Sequence, residues 1–299
     1  MAEKLKELLT EWRNPDTENL DTLPTLDILK KLNLEDQKAA LAVEKELDTV
    51  AQAVDLVVQA FEQGGRLFYF GAGTSGRLGM LDAAECPPTF GTDPSLVQGV
   101  IAGGLSALVE AIEGAEDEPD LGREDVDKVG VKAEDVVVGI AASGRTPYVM
   151  GAMEEAKRRG AKTIALSCNP DSEMSKVADV AIAPVVGPEA VTGSTRLKAG
   201  TAQKMVLNML TTASMVRMGK VYGNLMVNVQ ATNEKLRERV KKIIMDATEC
   251  TWEEAEKLAE QAEGDARVGI LMKLKGISSG EARAQLNRVG GRIRQALEN

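Results

Sequence analysis

The chain has 299 residues, with 36 basic, 46 acidic and no histidine side chains, which gives a net charge of −10. This balance, with no basic run at either end, argues against a nucleic-acid or anionic-membrane partner. Without histidine, Ser-His-Asp and Cys-His catalysis, histidine metal sites and imidazole acids or bases are excluded. Proton transfer near neutral pH then falls to carboxylates, lysine, tyrosine, cysteine or water, and carboxylates are the obvious candidates where burial raises their pKa.

Length and hydrophobicity set further expectations. The chain can build one substantial α/β domain and a smaller one. Its N-terminus is charged without an apolar signal-peptide core, and no apolar run approaches the roughly 20 residues that span a bilayer. We therefore expect a cytoplasmic protein. We divide it into an N-terminal segment (1–22), an α/β domain (23–235) and a small helical C-terminal domain (236–299).

Two helices are predicted before the first strand. Thr25 and Asp27 start a short helix that ends near Asn33, and Asp36 can cap a long helix that reaches Gln63. Apolar residues at helical spacing give the long helix a single apolar stripe.

The stretch Arg66–Glu85 predicts a strand, a turn and a helix. Its apolar run Leu67–Phe70 is typical of a strand covered on both faces. Glycines 71, 73 and 76 permit a tight turn, and Thr74 or Ser75 can cap the following helix. The N–H groups and dipole of that helix start favour a bound phosphate. The two prolines after Cys86 are expected to end the helix just after Glu85.

These glycines also spell the dinucleotide-binding fingerprint G-x-G-x-x-G, which is a weak signal alone. The ribose-binding acid expected about 20 residues on is not in place, because Asp93 lies in a Thr-Asp-Pro turn. A better indication is another apolar strand of the same kind, Val136–Ser143, which runs into Gly144, Arg145 and Thr146. One such turn is explained by capping, whereas two in one sheet predict a polar pocket at the strands' carboxyl ends.

The remaining chain repeats the alternation of strand and helix, which predicts an α/β fold with a parallel sheet flanked by helices. The further predicted elements are strands at Leu96–Ile101, Thr163–Ser167 and Val180–Val185, with helices from Ser106 to about Ile112 and from Thr195 to about Met218.

The tail from about Asp246 is predicted to form three short helices. Thr251 with Glu254 and Ser278 with Glu281 have capping-box spacing, and Gly264 and Gly276 are typical helix stops. This region is interpreted as a docking module, a lid or structural packing, of which packing is favoured.

Six stretches carry a family resemblance. GAGTSGRLG, DAAECPPTFG, EGAED, ASGRTPYV, TGSTRLKAGTAQK and NLMVNVQATNEKL resemble the N-acetylmuramic acid 6-phosphate etherases of the sugar isomerase (SIS) domain superfamily. The match runs in order from about Leu23 to the C-terminus. The resemblance implies an SIS-type, nucleotide-binding-like sandwich, a homodimer, and a sugar phosphate substrate with no cofactor and no metal.

The implied reaction cleaves the D-lactyl ether of N-acetylmuramic acid 6-phosphate by elimination and then hydration, in cell-wall amino sugar recycling. This is a carbon–oxygen lyase reaction that yields N-acetylglucosamine 6-phosphate and D-lactate. Two alternatives stay open. An aldose–ketose isomerase would use the same phosphate turns, and a non-catalytic sugar phosphate sensor would resemble the glucokinase regulatory protein, which carries two such domains.

The site residues follow from the same resemblance. By sequence alone Glu85 and Glu116 are better explained as solvated surface acids, but the family pattern places its functional glutamates at these positions. An apolar setting is expected at Glu85, whereas their assignment as acid and base stays open. The expected substrate contacts are Thr74, Ser75, Gly76, Arg77, Ser143, Gly144 and Thr146, with a third cluster of Ser194, Thr195 and Lys198. Arg77 and Arg145 can instead pair with acids, and Lys198 can be a surface charge.

Overall fold

The computed structural model of the protein describes residues 9–229 and 233–299. The first eight residues of the predicted N-terminal segment and residues 230–232 of the NLMVNVQATNEKL motif lie outside this range. The described chain divides into two compact units. The first contains residues up to Ala84 together with Ser95–Thr211, and the second contains Glu85–Pro94 and the residues from Thr212 onward.

A five-stranded parallel sheet forms the centre of the first unit. Its strands are β1 (Leu67–Gly71), β2 (Val97–Ile101), β3 (Val136–Ile140), β4 (Lys162–Leu166) and β5 (Val180–Ile182), in the order β2-β1-β3-β4-β5. Every residue of β1 and β3 is buried, as expected for strands covered on both faces. The predicted α/β class is confirmed.

Helices flank this sheet. They are α1 (Thr25–Glu44), α2 (Leu47–Glu62), α3 (Gly73–Phe90), α4 (Pro119–Lys128), α5 (Pro147–Arg158), α6 (Glu173–Val177) and α7 (Lys198–Arg217). Short 3-10 turns occupy Leu9–Glu11, Pro15–Thr17, Leu20–Thr22, Leu105–Leu108 and Ala115–Asp117. No helix in the described part of the chain is both long and apolar enough to cross a membrane.

The first two helices divide at a different place from the one predicted. Helix α1 continues through Asp36 and ends at Glu44. Its buried residues Glu35, Ala39, Ala42 and Val43 recur at helical spacing and form one face that begins inside the predicted break, before Asp36. This packing outweighs the capping tendency of Asp36.

Helix α3 passes through the two prolines that were expected to end it. Pro87 and Pro88 lie in its last turns, and the carbonyl of Pro87 accepts a hydrogen bond from the N–H of Gly91. The prediction that the helix ends just after Glu85 is therefore wrong.

The prediction of a helix over Ser106–Ile112 is also wrong, because only the 3-10 turn Leu105–Leu108 forms there. The guanidinium group of Arg77 donates to the carbonyls of Leu108 and Glu110, at 3.1 and 3.0 Å. These carbonyls therefore bond with a distant side chain instead of continuing a helical ladder.

The helices of the second unit pack around their own core, which includes Ile244, Val268 and Leu271. They are α8 (Glu234–Thr248), α9 (Trp252–Gln261), α10 (Ala266–Lys275), α11 (Ser279–Arg288) and α12 (Ile293–Glu298). Both predicted N-caps are confirmed, with a complete capping box at Ser278. Gly264 and Gly276 follow helix ends with positive φ, as predicted. One further helix, α12, extends the three that were predicted.

Candidate active site

The first strand-end turn places a helix N-terminus at the edge of the sheet. After β1 the chain turns at Ala72 and enters α3 at Gly73, so Thr74 and Ser75 lie in the first helical turn instead of capping it. The first N–H groups of a helix have no partner within the helix and attract anions.

The glycine spacing of this turn has a packing cause. A Cβ on Gly71 would lie 2.7 Å from the backbone nitrogen of Gly76, and a Cβ on Gly76 would lie 2.6 Å from the carbonyl oxygen of Gly71. Gly73 has a φ of 52°, which favours glycine. Strand and helix thus approach more closely than side chains would permit, and Gly76 serves this approach instead of lining the cavity.

The second strand-end turn follows β3 and has the same design. Ser143 accepts a weak hydrogen bond from the N–H of Arg145 at 3.4 Å, and Thr146 precedes the first residue of α5 without a side-chain capping bond. Gly144 has a φ of 69°, and a Cβ there would meet that of Ser172 at 2.3 Å. Gly144 is therefore required by the turn itself.

Both turns face one cavity of about 620 Å³, large enough for a small polar ligand. Its described lining residues are Glu11, Ala72, Gly73, Thr74, Ser75, Glu116, Asp117, Ile140, Ala141, Ala142, Ser143, Arg145, Thr146, Pro147 and Thr195. The sequence-predicted residues Thr74, Ser75, Ser143, Thr146, Thr195 and Glu116 are thus brought together.

The cavity lining contains side chains of both charges. Arg145 carries positive charge, whereas Glu11, Glu116 and Asp117 carry carboxylates. Hydroxyl groups and helix starts supply the other donors at the two turns. The cavity therefore offers an anion a place at the turns and offers neutral donor groups several acceptors.

Glu116 enters the cavity from the 3-10 turn Ala115–Asp117, which begins after Gly114 in a left-handed conformation. Its side chain is exposed in the single chain. Arg77, which was expected to touch the substrate, instead binds the carbonyls of Leu108 and Glu110. It thereby fixes the loop that leads from β2 to Glu116.

Glu85 lies in the second unit, on the part of α3 that follows Ala84. The buried residues of this part of the helix are Asp82, Ala83, Cys86 and Phe90, and Glu85 points away from the face that they form. It is exposed in the single chain, in contrast to the expected apolar setting.

The third predicted donor cluster reaches the cavity only through Thr195. Lys198 is 1% exposed, and its amine binds Glu35 and the carbonyl of Pro188. The carboxylate of Glu189 accepts hydrogen bonds from the N–H groups of Lys198 and Ala199, at 3.0 and 2.9 Å. The start of α7 is thus occupied by a protein carboxylate, and among the described lining residues neither Ser194 nor Lys198 takes part.

Three residues at or behind the cavity were not predicted from the sequence. Glu11 and Asp117 line it, and Gln203 accepts a hydrogen bond from Ser75. Gln203 had a local signal, because it is a polar residue on the buried stripe of α7 formed by Ala199, Ala202 and Val206. No local signal marks Glu11, since it comes from a segment with no recognisable pattern.

Two protein-family models match the chain. One, described as the glucokinase regulatory protein N-terminal SIS domain, matches residues 49–157, and the SIS domain model matches residues 122–213. The chain is 57% identical to N-acetylmuramic acid 6-phosphate etherase 2 of Vibrio cholerae, over 98% of this chain and 96% of that protein. It is 56% identical to N-acetylmuramic acid 6-phosphate etherase of Photorhabdus laumondii, over 99% of each.

The similarity of this chain to solved structures concerns the fold alone. A phosphoheptose isomerase from Francisella tularensis superposes with a TM-score of 0.52 at 18% identity, covering 65% of this chain and 100% of that one. A phosphoheptose isomerase from Neisseria gonorrhoeae gives a TM-score of 0.51 at 20% identity, covering 64% and 99%. These likenesses confirm the SIS-type architecture of the sheet and its helices.

Proposed function

The chain belongs to the N-acetylmuramic acid 6-phosphate etherase family, and from this membership we propose that it cleaves the D-lactyl ether of N-acetylmuramic acid 6-phosphate. The products are N-acetylglucosamine 6-phosphate and D-lactate, and the reaction belongs to cell-wall amino sugar recycling. The supporting observation is that two strand-end turns and Glu116 face one cavity. A phosphate at the turns leaves the rest of the sugar beside a carboxylate.

The proposed chemistry is elimination followed by hydration. Opening of the sugar ring exposes an aldehyde, which acidifies the proton on carbon 2. A base removes this proton while an acid protonates the departing lactate oxygen at carbon 3, and water then adds to the unsaturated aldehyde. Each proton-transfer group contributes about 100- to 10,000-fold to the rate. Carboxylates suit both roles in a chain without histidine.

We assign the base to Glu116 and the acid to Glu85. Glu116 has support from its place on the cavity lining. Glu85 has support from the family pattern and from its exposure in the single chain, which leaves its carboxyl group accessible to another molecule. The phosphate is assigned to Thr74, Ser75, Ser143 and Thr146 at the two helix starts.

A homodimer whose partner chain helps to close the substrate site is part of the proposal. Support comes from α1, on which four leucines are more than half exposed in the single chain. These are Leu26, Leu29, Leu34 and Leu41. An apolar surface of this kind is typical of an interface between chains. A cytoplasmic location stays a prediction, which fractionation of the producing cells would test.

The direct test is incubation with N-acetylmuramic acid 6-phosphate while D-lactate is measured. We expect stoichiometric lactate and N-acetylglucosamine 6-phosphate, and no lactate from the unphosphorylated sugar. Formation of a ketose phosphate from an aldose phosphate, without lactate release, would identify an isomerase. Tight binding without any turnover would identify a sensor and overturn the proposal.

A further inference from the structure

The described part of the N-terminal segment, residues 9–22, is fixed to the rest of the first unit at two places. We call residues 9–22 the N-terminal strap. At its start, the N–H of Leu9 donates to Oδ1 of Asn169 at 3.0 Å, and Nδ2 of Asn169 donates to Oγ1 of Thr10 at 3.4 Å and to the carbonyl of Ala142 at 2.9 Å. Asn169 therefore ties the strap to a carbonyl of the cavity lining.

The second fixed point lies a few residues further along the strap. Nδ2 of Asn14 donates to Oε2 of Glu35 at 2.8 Å and to the carbonyl of Pro188 at 3.1 Å. The hydroxyl of Thr17 donates to the carbonyl of Ala190 at 2.9 Å. Thr10, Asn14 and Thr17 are at most 6% exposed, so these bonds are shielded from water. A strap held in this way presents its side chains at fixed positions.

Glu11 lies between the two fixed points and lines the cavity. It is half-buried, whereas Trp12 and Arg13, which follow it, are exposed. Its Oε2 would lie 3.3 Å from a Cβ built on Gly193, which places the carboxylate against the turn that leads to Thr195. The bonds of Thr10 and Asn14 on either side of Glu11 keep this part of the strap at the cavity, so the carboxylate stays half-buried there instead of turning into bulk solvent.

We propose that Glu11 is a substrate-binding residue whose carboxylate accepts a hydrogen bond from a neutral donor of the sugar, either a hydroxyl or the acetamido N–H. The inference rests on the proposed function for its ligand class. A carboxylate repels the phosphate and the lactyl carboxylate of the substrate, so it belongs beside the uncharged part of the molecule. The phosphate binds at the helix starts, where N–H groups and hydroxyls are available.

The test measures binding and not turnover, with N-acetylglucosamine 6-phosphate and inorganic phosphate as ligands in calorimetry. Glu11→Ala should raise the Kd of the sugar phosphate about 10- to 100-fold, as expected for loss of a hydrogen bond to a charged group. Glu11→Gln should raise it less, because its amide oxygen still accepts. Inorganic phosphate should bind to both variants as tightly as to the wild type, or more tightly.

Glu18→Ala is the matched control, because Glu18 lies on the same strap and is exposed. It should bind both ligands like the wild type. Unchanged sugar phosphate affinity in Glu11→Ala would overturn the inference alone, and so would an equal loss of affinity for inorganic phosphate, which would indicate a distorted pocket. If the wild type binds no sugar phosphate, the proposed function fails and the Glu11 inference with it.

Discussion

The hydroxyl of Ser75 donates a hydrogen bond to Oε1 of Gln203 at 2.9 Å, and both side chains are buried. Nε2 of the same amide is buried without a hydrogen-bond partner within residues 9–229 and 233–299. Rotation of the amide would let Nε2 donate to Ser75 and would release the hydroxyl proton. Gln203 therefore determines whether Ser75 is a donor for a phosphate.

This pair predicts graded effects on phosphate binding. Ser75→Ala or Ser143→Ala should weaken binding of the 6-phosphorylated sugar by about 1.5 to 3 kcal/mol, as expected for hydrogen bonds to a charged group. Gln203→Glu should weaken it further, because a carboxylate only accepts and would keep the Ser75 proton while repelling the phosphate. Calorimetry with the phosphorylated and unphosphorylated sugars measures both effects. If the wild type bound the two sugars with equal affinity, the cavity would contain no site for the phosphate.

Arg77 is predicted to act on turnover and not on phosphate affinity. Its guanidinium group holds the carbonyls of Leu108 and Glu110 in the loop before Glu116. Arg77→Met should lower kcat about tenfold or more, because the base is then less well positioned. The inhibition constant of inorganic phosphate should not change.

Arg123→Met provides the control for this variant, since Arg123 forms partly exposed ion pairs with Asp120 and Glu154. It should leave kcat at the wild-type value. Loss of phosphate inhibition in Arg77→Met would instead show that Arg77 touches the substrate, as the sequence suggested.

Lys198 is predicted to stabilise the fold. Its amine and the carboxylate of Glu35 form an ion pair in which both side chains are at most 3% exposed. Lys198→Met leaves the buried carboxylate of Glu35 with only Lys38 and Asn14 as partners. It should lower the free energy of unfolding by at most the roughly 3 to 5 kcal/mol expected when a buried charge loses its whole partner. The double variant Lys198→Met/Glu35→Leu should lose less free energy of unfolding than the sum of the losses in the two single variants. Denaturant unfolding measures all three, and additive losses would contradict a coupled pair.

The same pair gives stability an acid dependence. Burial opposes ionisation of Glu35, but hydrogen bonds from Lys198 and Lys38 outweigh it and lower the pKa of the carboxyl group. A lowered folded-state pKa contributes stability that is complete above the unfolded value of about 4.3 and is lost as the pH falls through the folded value. Wild-type protein should therefore lose more stability than Glu35→Gln below about pH 4.3.

Local patterns predicted the part of the site that local chemistry builds. The runs Leu67–Phe70 and Val136–Ser143 predicted two strands and their phosphate turns, because burial and glycine conformation act over a few residues. The buried state of Lys198 was not predictable in this way, since its partner Glu35 lies 163 positions earlier. Glu11 reaches the cavity through Asn169, 160 positions from Leu9, and Arg77 prevents a helix 31 positions away. Such contacts depend on the tertiary fold and produce no periodic pattern in the sequence.

A site shared between two chains predicts complementation. Glu85→Gln and Glu116→Gln should each be nearly inactive as homodimers. If each site takes Glu85 from one chain and Glu116 from the other, a heterodimer of the two variants has one intact site. Equal mixing after subunit exchange should then restore about a quarter of wild-type activity, since about half of the dimers are mixed. No recovery in verified heterodimers would place both glutamates of a site on one chain, and a fully active monomer would exclude the shared site.

The roles of the two glutamates are separable by hydrogen exchange at carbon 2. With Glu116 as the base, Glu116→Gln should lose both exchange and lactate release, because nothing follows without proton abstraction. With Glu85 as the acid, Glu85→Gln should still exchange the carbon 2 hydrogen and release almost no lactate. Glu113→Gln is the matched control, since Glu113 is an exposed acid three residues before Glu116.

The decisive measurement follows deuterium incorporation at carbon 2 and D-lactate release together, in deuterated water, for the wild type and these three variants. We expect exchange and lactate in the wild type and Glu113→Gln, exchange alone in Glu85→Gln, and neither in Glu116→Gln. Exchange in Glu116→Gln with none in Glu85→Gln would show that the two roles are reversed. Near-normal lactate release by both Glu85→Gln and Glu116→Gln would contradict the mechanism and make these residues ordinary surface acids.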